Sequence, residues 1–106
     1  LTLEGEITSV PYIKMTLDLL NQIGVETVFD DDFIKVKPLN KELKAKSLVV
    51  ESDWSSASYY YSIVALSEIG TEITLSAYKE SSLQGDSALA NIYKQFGVET
   101  TFLNNQ

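Results

Sequence analysis

The sequence predicts a mixed α/β fold with the element order β-α-β-β-β-α-β-α-β. Three stretches with the spacing of buried helix faces are each followed by a glycine. Short apolar runs lie between them, and the two strand–helix–strand crossovers of the second half place strands in parallel with helices on a face. A repeat points the same way, since residues 23–29 (IGVETVF) recur as residues 96–102 (FGVETTF), 73 positions later.

Residues 1–3 have the alternation of a strand remnant that turns at Gly5. Ser9 is predicted to cap the first helix, and Pro11 stands near the first helical position, where its missing N–H costs little. Gly24 is predicted to end this helix. Its apolar positions have helical spacing: Ile13, Leu17 and Leu20.

Residues 25–29 and 33–36 are predicted to form a β-hairpin around the acidic turn 30–32. A lysine-rich connector, residues 38–46, follows and is typical of a solvated surface. Residues 47–51 have a continuous apolar centre, which indicates a strand buried on both faces.

Asp53 is predicted to cap a second helix, residues 54–68, which Gly70 ends. Residues 71–77 are predicted to be a strand and residues 78–84 a loop. Asp86 is predicted to cap a third helix, which ends at Gly97 before a last strand, residues 98–103. The apolar stripe of the third helix lies at Leu89, Ile92, Tyr93 and Phe96.

The repeat extends beyond the helix-to-strand junction, because Leu19 corresponds to Ile92 and Ser9 to Ser82. The alternative explanation is that Gly-Val-Glu is a common junction. A period of this length is too long for a solenoid array. It indicates small α/β units assembled into a larger body.

Composition excludes several kinds of function. The 106 residues carry 15 acids and 8 bases, for a net charge of −7, and contain no histidine, cysteine or arginine. These absences exclude a disulfide framework, a thiol nucleophile, an imidazole base, thiolate or histidine metal sites and an arginine clamp for phosphate. The acidic balance argues against nucleic acid or an anionic membrane as a partner. We predict no metal site, no cofactor and no catalytic residue.

The start of the first helix is the candidate anion site, because a helix N-terminus carries free N–H groups and partial positive charge. Ser9 and Tyr12 could both offer hydroxyl groups to one anion. The alternative is that Ser9 only caps and Tyr12 only packs. Near the third helix Asp86 would repel an anion, so that loop is interpreted as structural. The serines at 55, 56 and 58 lack an activating base and are interpreted in the same way.

Three segments resemble the EPSP synthase (3-phosphoshikimate 1-carboxyvinyltransferase) family in their order and spacing. They are residues 9–17 (SVPYIKMTL), 50–59 (VESDWSSASY) and 82–86 (SLQGD). The resemblance covers nearly the whole chain but only part of a typical family member. A sister family, the UDP-N-acetylglucosamine enolpyruvyl transferases, shares the implied fold but is not similar at these segments.

The resemblance implies βαβαββ units in two inside-out barrel domains, with residues 1–50 from the end of the first domain and 51–106 from the start of the second. The implied reaction moves an enolpyruvyl group from phosphoenolpyruvate to the 5-hydroxyl of shikimate 3-phosphate, without a metal, in the shikimate pathway to chorismate and the aromatic amino acids. Ser9 and Tyr12 match the family's Ser-(Arg/Lys)-Pro-Tyr motif, whose serine and tyrosine contact shikimate 3-phosphate.

Two positions depart from the family pattern. Val10 stands where the family often has a cation, and Lys14 where it often has an acid. The family's clamping arginines and catalytic residues match no position here. We therefore expect an inactive internal fragment of an enzyme. The alternative is a free-standing, non-catalytic α/β binding or assembly module.

The same interpretation sets the expected partners and location. We expect shikimate 3-phosphate to bind the parent enzyme, and this chain weakly if at all, and phosphoenolpyruvate to bind the parent alone. The chain has no membrane-spanning run or signal peptide, so we expect a cytoplasmic protein. The two halves are expected to collapse into one compact domain, whose remaining exposed apolar surface favours self-association.

Overall fold

A helix, α1 (Val10–Gln22), precedes a β-hairpin of β1 (Thr27–Asp30) and β2 (Phe33–Val36) in the first half of the chain. A computed structural model describes residues 1–39, 42 and 45–103. These form two compact units, Leu1–Leu48 and Val49–Gln106. Residues 40, 41, 43 and 44 of the predicted connector lie outside the described residues.

The first unit confirms the predicted hairpin. β1 and β2 pair antiparallel, with Thr27 opposite Val36 and Asp30 opposite Phe33. The predicted strand remnant lies along the other edge of β2, where Thr2 forms a bridge with Phe33 and the Ile34 N–H donates to the Leu1 carbonyl at 2.9 Å. The backbone of β2 is therefore hydrogen-bonded on both edges, and Ile34 of this strand is buried.

The second unit contains α2 (Trp54–Ala65), a 3-10 turn (Gly85–Ala88) and α3 (Leu89–Lys94). The core of this unit lies along one face of α2, at Trp54, Ala57 and Tyr61. This i, i+3, i+7 spacing places the three side chains on one stripe. The side chains packed against them come from residues 71–78, from α3 and from residues 98–102. They are Leu75, Tyr78, Leu89, Ala90, Tyr93, Val98 and Phe102.

Three predicted strands, residues 47–51, 71–77 and 98–103, are wrong as strands in this structure. In the described part of the chain the sheet has two strands, β1 and β2, and these three segments form no ladder. A strand requires a partner for its backbone, whereas an apolar pattern records only burial of side chains. Leu75 and Phe102 do reach the core, but Val49 and Val50 are both 79% exposed, against the prediction of burial.

The two helices of the second half are shorter than predicted. α2 ends at Ala65, with Leu66 as its C-cap, so Gly70 lies in a separate turn beyond it. The predicted third helix is divided into the 3-10 turn and the six-residue α3. Asp86 therefore lies inside the 3-10 turn, and its side chain does not cap a helix.

The two copies of the sequence repeat end their helices with the same hydrogen bonds. Gly24 has φ +97° and Gly97 has φ +82°, the left-handed conformation that glycine adopts without steric penalty. Val25 N–H donates to Leu20 O at 3.0 Å, as Val98 N–H donates to Tyr93 O at 3.1 Å. Each copy thus ends its helix in the same Schellman arrangement.

No helix within the described ranges is long and apolar enough to cross a membrane. The assignment of the two halves to two enolpyruvyl-transferase domains, and their collapse into one domain, stay predictions.

Candidate functional site

Ser9 lies at the N-cap of α1 but does not cap it. Its backbone is left-handed, at φ 57° and ψ 33°, and its side chain makes no capping hydrogen bond. The predicted capping role is therefore wrong. The physical reason is conformational, because an N-cap side chain reaches the N2 or N3 N–H from an extended backbone.

The Ser9 backbone nevertheless starts the helix. Its carbonyl accepts from the Tyr12 N–H at 2.9 Å and from the Ile13 N–H at 3.4 Å. A left-handed conformation at a non-glycine residue costs of order 1–3 kcal/mol. That strain leaves the Ser9 hydroxyl exposed and without a hydrogen-bond partner in the described part of the chain.

The first turn of α1 brings both predicted site residues to one end of the helix. Tyr12 lies three residues after Ser9, and its side chain is 64% exposed. Pro11 is the second helical residue and has no N–H to offer. The Val10 N–H makes no hydrogen bond among the described residues. The end of α1 therefore presents the Val10 N–H and two side-chain hydroxyls.

The start of α2 is filled by its own side chains. Asp53, with φ −74° and ψ 115°, caps as predicted, and its carboxylate accepts from the Ser55 N–H at 2.9 Å. The Gln84 amide oxygen accepts from the Trp54 N–H at 2.9 Å, and its NH₂ donates to the Ser52 carbonyl at 2.9 Å. A negative cap and satisfied donors leave this helix end closed to an anion.

Glu51 joins the start of α2 to the loop of residues 78–84. Its Oε1 accepts from Trp54 Nε1 at 3.1 Å and from the Lys79 N–H at 3.3 Å. Burial alone would raise the pKa of the Glu51 carboxyl, but donation from Ser82, Trp54 and the Lys79 N–H, with the Lys79 charge, lowers that pKa below its ordinary 4.5. The carboxylate form is therefore the one that this site stabilises.

Two serine–aspartate pairs lie on the first turn of α2. The Ser55 hydroxyl donates to the Asp86 carboxylate, and the Ser56 hydroxyl donates to Asp53 at 3.1 Å. A carboxylate is too weak a base to deprotonate a serine hydroxyl, so neither arrangement activates a nucleophile. The pairs support the structural interpretation of these serines.

Ser82, the counterpart of Ser9 in the sequence repeat, has a different environment. Its hydroxyl oxygen accepts from the Gln84 N–H at 3.0 Å, and its nearby hydroxyl group lowers the pKa of the Glu51 carboxyl. The second copy therefore uses its serine within the loop, whereas the first copy leaves it exposed.

Sequence reasoning missed the parts that Glu51 and Gln84 take in this network. Both lie in segments quoted for the resemblance, 50–59 and 82–86, and the structure brings those segments together. The presence of both segments in one sequence was the signal that could have indicated this contact. Within the described residues, no group of histidine, cysteine or acidic side chains is arranged to hold a metal ion.

A family model described as EPSP synthase (3-phosphoshikimate 1-carboxyvinyltransferase) matches residues 1–106. The chain belongs to the EPSP synthase family. The resemblance carried by the three segments is thereby confirmed.

Curated relatives in this EPSP synthase family carry the name 3-phosphoshikimate 1-carboxyvinyltransferase. The chain is similar to that of Bacteroides fragilis, with 41% identity over 103 residues, covering 96% of this chain and 24% of the relative. It is similar to that of Methanocaldococcus jannaschii, with 37% identity over 97 residues, 92% of this chain and 22% of the relative. For Brachyspira hyodysenteriae the identity is 35% over 100 residues, 94% of this chain and 23% of the relative.

The chain thus spans about a quarter of the length of the curated EPSP synthases it matches. No solved structure matches it.

Proposed function

We propose that this chain is a segment of an enzyme that transfers the enolpyruvyl group of phosphoenolpyruvate to the 5-hydroxyl of shikimate 3-phosphate. Support comes from the match of an EPSP synthase family model to all 106 residues. We include in this proposal the division of the chain between two barrel domains of βαβαββ units and a cytoplasmic location.

Within that enzyme, we assign the chain a binding role at the start of α1. The single observation that carries the assignment is the exposed, unpartnered hydroxyl of Ser9 at the first turn of a 13-residue helix. The Val10 N–H and the Tyr12 phenol are further donors at that end, and helix polarity favours an anion there. Shikimate 3-phosphate is the substrate that this site would contact.

The charge pattern of α1 adds Lys14 to this assignment. Val10 supplies no charge, but Lys14 lies four residues later, on the same face and one turn further along. Long helical side chains lean toward the helix N-terminus, so the Lys14 ammonium can approach an anion held at Val10. We therefore propose that Lys14 supplies positive charge to the bound substrate.

We expect the chemical steps to use groups outside this chain. Addition and elimination at the enolpyruvyl group need preorganised cations and an acid–base pair. The chain has no arginine or histidine, and its serine–aspartate pairs are structural. The segment therefore contributes binding, while phosphoenolpyruvate and the reacting atoms are handled by other parts of the enzyme.

The test compares the full-length protein that contains this segment with the 106-residue chain alone. We expect phosphate release from phosphoenolpyruvate and shikimate 3-phosphate with the first and none with the second. Activity of the isolated chain would contradict the assignment of a binding role only. Absence of activity from a folded full-length protein would contradict the proposed reaction and favour the non-catalytic module.

A further inference from the structure

The Glu51 side chain contacts two parts of the second unit that lie far apart in the sequence. Trp54 is the first residue of α2, whereas Lys79 lies 28 residues further along the chain from Glu51. The Trp54 indole N–H and the Lys79 backbone N–H donate to the same carboxylate oxygen, Oε1, and the nearby Ser82 hydroxyl lowers the pKa of the carboxyl group.

The hydrogen-bond donors determine which protonation state of Glu51 connects the start of α2 to the 78–84 loop. The indole N–H and the backbone N–H of Lys79 can only donate, so they require an acceptor. An ionised carboxylate accepts on both oxygens, and hydrogen bonds to a charged acceptor are stronger than those to a neutral one. A protonated carboxyl group carries an O–H that competes for the same positions and has no charge to attract Lys79.

We propose that Glu51 is an acid-sensitive latch, which fastens the 78–84 loop to the first turn of α2 when ionised and releases it when protonated. Gln84 holds the same two parts through uncharged contacts, to the Trp54 N–H and the Ser52 carbonyl. Because those contacts do not titrate, acid loosens the loop at Lys79 before α2 itself unfolds.

The elements that Glu51 joins carry other charged groups. Lys79 and Glu80 lie in the loop, Asp53 precedes α2, and Asp86 lies in the 3-10 turn, where it accepts from Ser55. The phenol of Tyr78 donates to the Asp53 carbonyl at 3.1 Å. Lys79 is the cation whose charge favours the ionised form of Glu51.

The sign of the pH dependence follows from the Glu51 contacts. A carboxyl group whose pKa is lowered on folding stabilises the fold above its unfolded pKa, and this contribution is lost as pH falls through the folded pKa. The latch is therefore closed at neutral pH and opens in acid, below the ordinary carboxyl pKa of 4.5.

Trp54 is the single tryptophan of the chain, so its fluorescence reports on the latch directly. We would titrate emission of the 106-residue chain from about pH 6 to about pH 3, a range that spans carboxyl titration. Amide exchange would give the protection factor of Lys79 in parallel. Three chains are compared: wild type, Glu51→Gln, which keeps an acceptor but cannot titrate, and Glu72→Gln, which removes an exposed acid of the same unit.

In wild type and in Glu72→Gln we expect an emission change with a midpoint below 4.5 and a roughly two- to tenfold loss of Lys79 protection, the range for one hydrogen bond. Glu51→Gln should show neither. Identical titrations of Glu51→Gln and wild type would overturn the proposal, as would a wild-type chain with no transition.

If Glu51→Gln does not fold, Ser82→Ala provides the second test. Removing that donor leaves the carboxylate less stabilised, so the midpoint should move to higher pH. An unchanged midpoint in folded Ser82→Ala would contradict the proposal.

Discussion

Two residues at helix N-cap positions differ in backbone conformation, and the difference leaves one side chain capping its helix and the other free for the proposed binding role. Asp53 is extended and uses its carboxylate on the Ser55 N–H, whereas Ser9 is left-handed and keeps its hydroxyl free. Both residues are good N-caps by type. The distinction therefore lies in φ and ψ, which residue type alone does not determine.

The proposed charge of Lys14 gives a prediction at the residue scale. In the full-length enzyme, Lys14→Gln should raise the KM for shikimate 3-phosphate about two- to fivefold, as expected for an exposed charge pair. The effect should shrink as salt increases, because salt screens exposed charges. Steady-state kinetics at low and high ionic strength measure both. Lys35→Gln, on β2, is the control, and equal effects of the two substitutions would contradict the role of Lys14.

Some residues of the candidate site could be predicted from the sequence, and others could not. Ser9 and Tyr12 were selected from a helix start and a motif, and the structure places both on the first turn of α1. The cap by Asp53 was predicted correctly because residue type and position suffice there. The contacts of Glu51 with Lys79 could not be predicted, since they depend on how a loop 28 residues away folds back.

At the scale of elements, helix ends were more predictable than strands. Gly24 and Gly97 both end their helices through the same Schellman hydrogen bonds, a local property of five or six residues. Strand formation at residues 47–51, 71–77 and 98–103 requires a partner elsewhere in the chain. Their apolar pattern predicted strands, but in the described residues the paired strands are β1 and β2.

The repeated helix end gives a prediction with a matched control. Gly97→Ala should destabilise the second unit by about 1–2 kcal/mol, the cost of placing an L-residue in the left-handed region. No neighbour lies within 4 Å of the added Cβ at Gly97 or at Gly85, so steric clash contributes to neither.

Gly85 has no positive φ, so Gly85→Ala should change the free energy of unfolding little. Urea unfolding followed by Trp54 fluorescence measures both variants. Equal destabilisation by the two substitutions would show that the backbone conformation of Gly97 is not the cause.

At the scale of the whole molecule, many large apolar side chains of the described residues are exposed. Leu66 is 88% exposed and Ile69 fully exposed, while Val49 and Val50 are mostly exposed. The buried hydrophobic residues of the described chain are five: Leu17, Ile34, Trp54, Ala57 and Tyr61.

We expect the isolated chain to self-associate, because exposed apolar side chains favour contacts between copies. Sedimentation velocity over a concentration series should show a dimer or larger species that dissociates on dilution. Leu66→Glu should weaken the association, and Glu72→Gln should not. A monomer at every concentration would contradict this expectation.

The central claim is that the first turn of α1 binds shikimate 3-phosphate through Ser9. The most direct measurement is the KM of the full-length enzyme for each substrate, in wild type, Ser9→Ala and the control Ser81→Ala. A hydrogen bond to a charged group contributes enough for Ser9→Ala to raise the KM for shikimate 3-phosphate roughly tenfold or more. The KM of Ser9→Ala for phosphoenolpyruvate should stay near the wild-type value. The KM values of Ser81→Ala for both substrates should also stay near wild type. An unchanged KM for shikimate 3-phosphate in folded Ser9→Ala enzyme would contradict the claim.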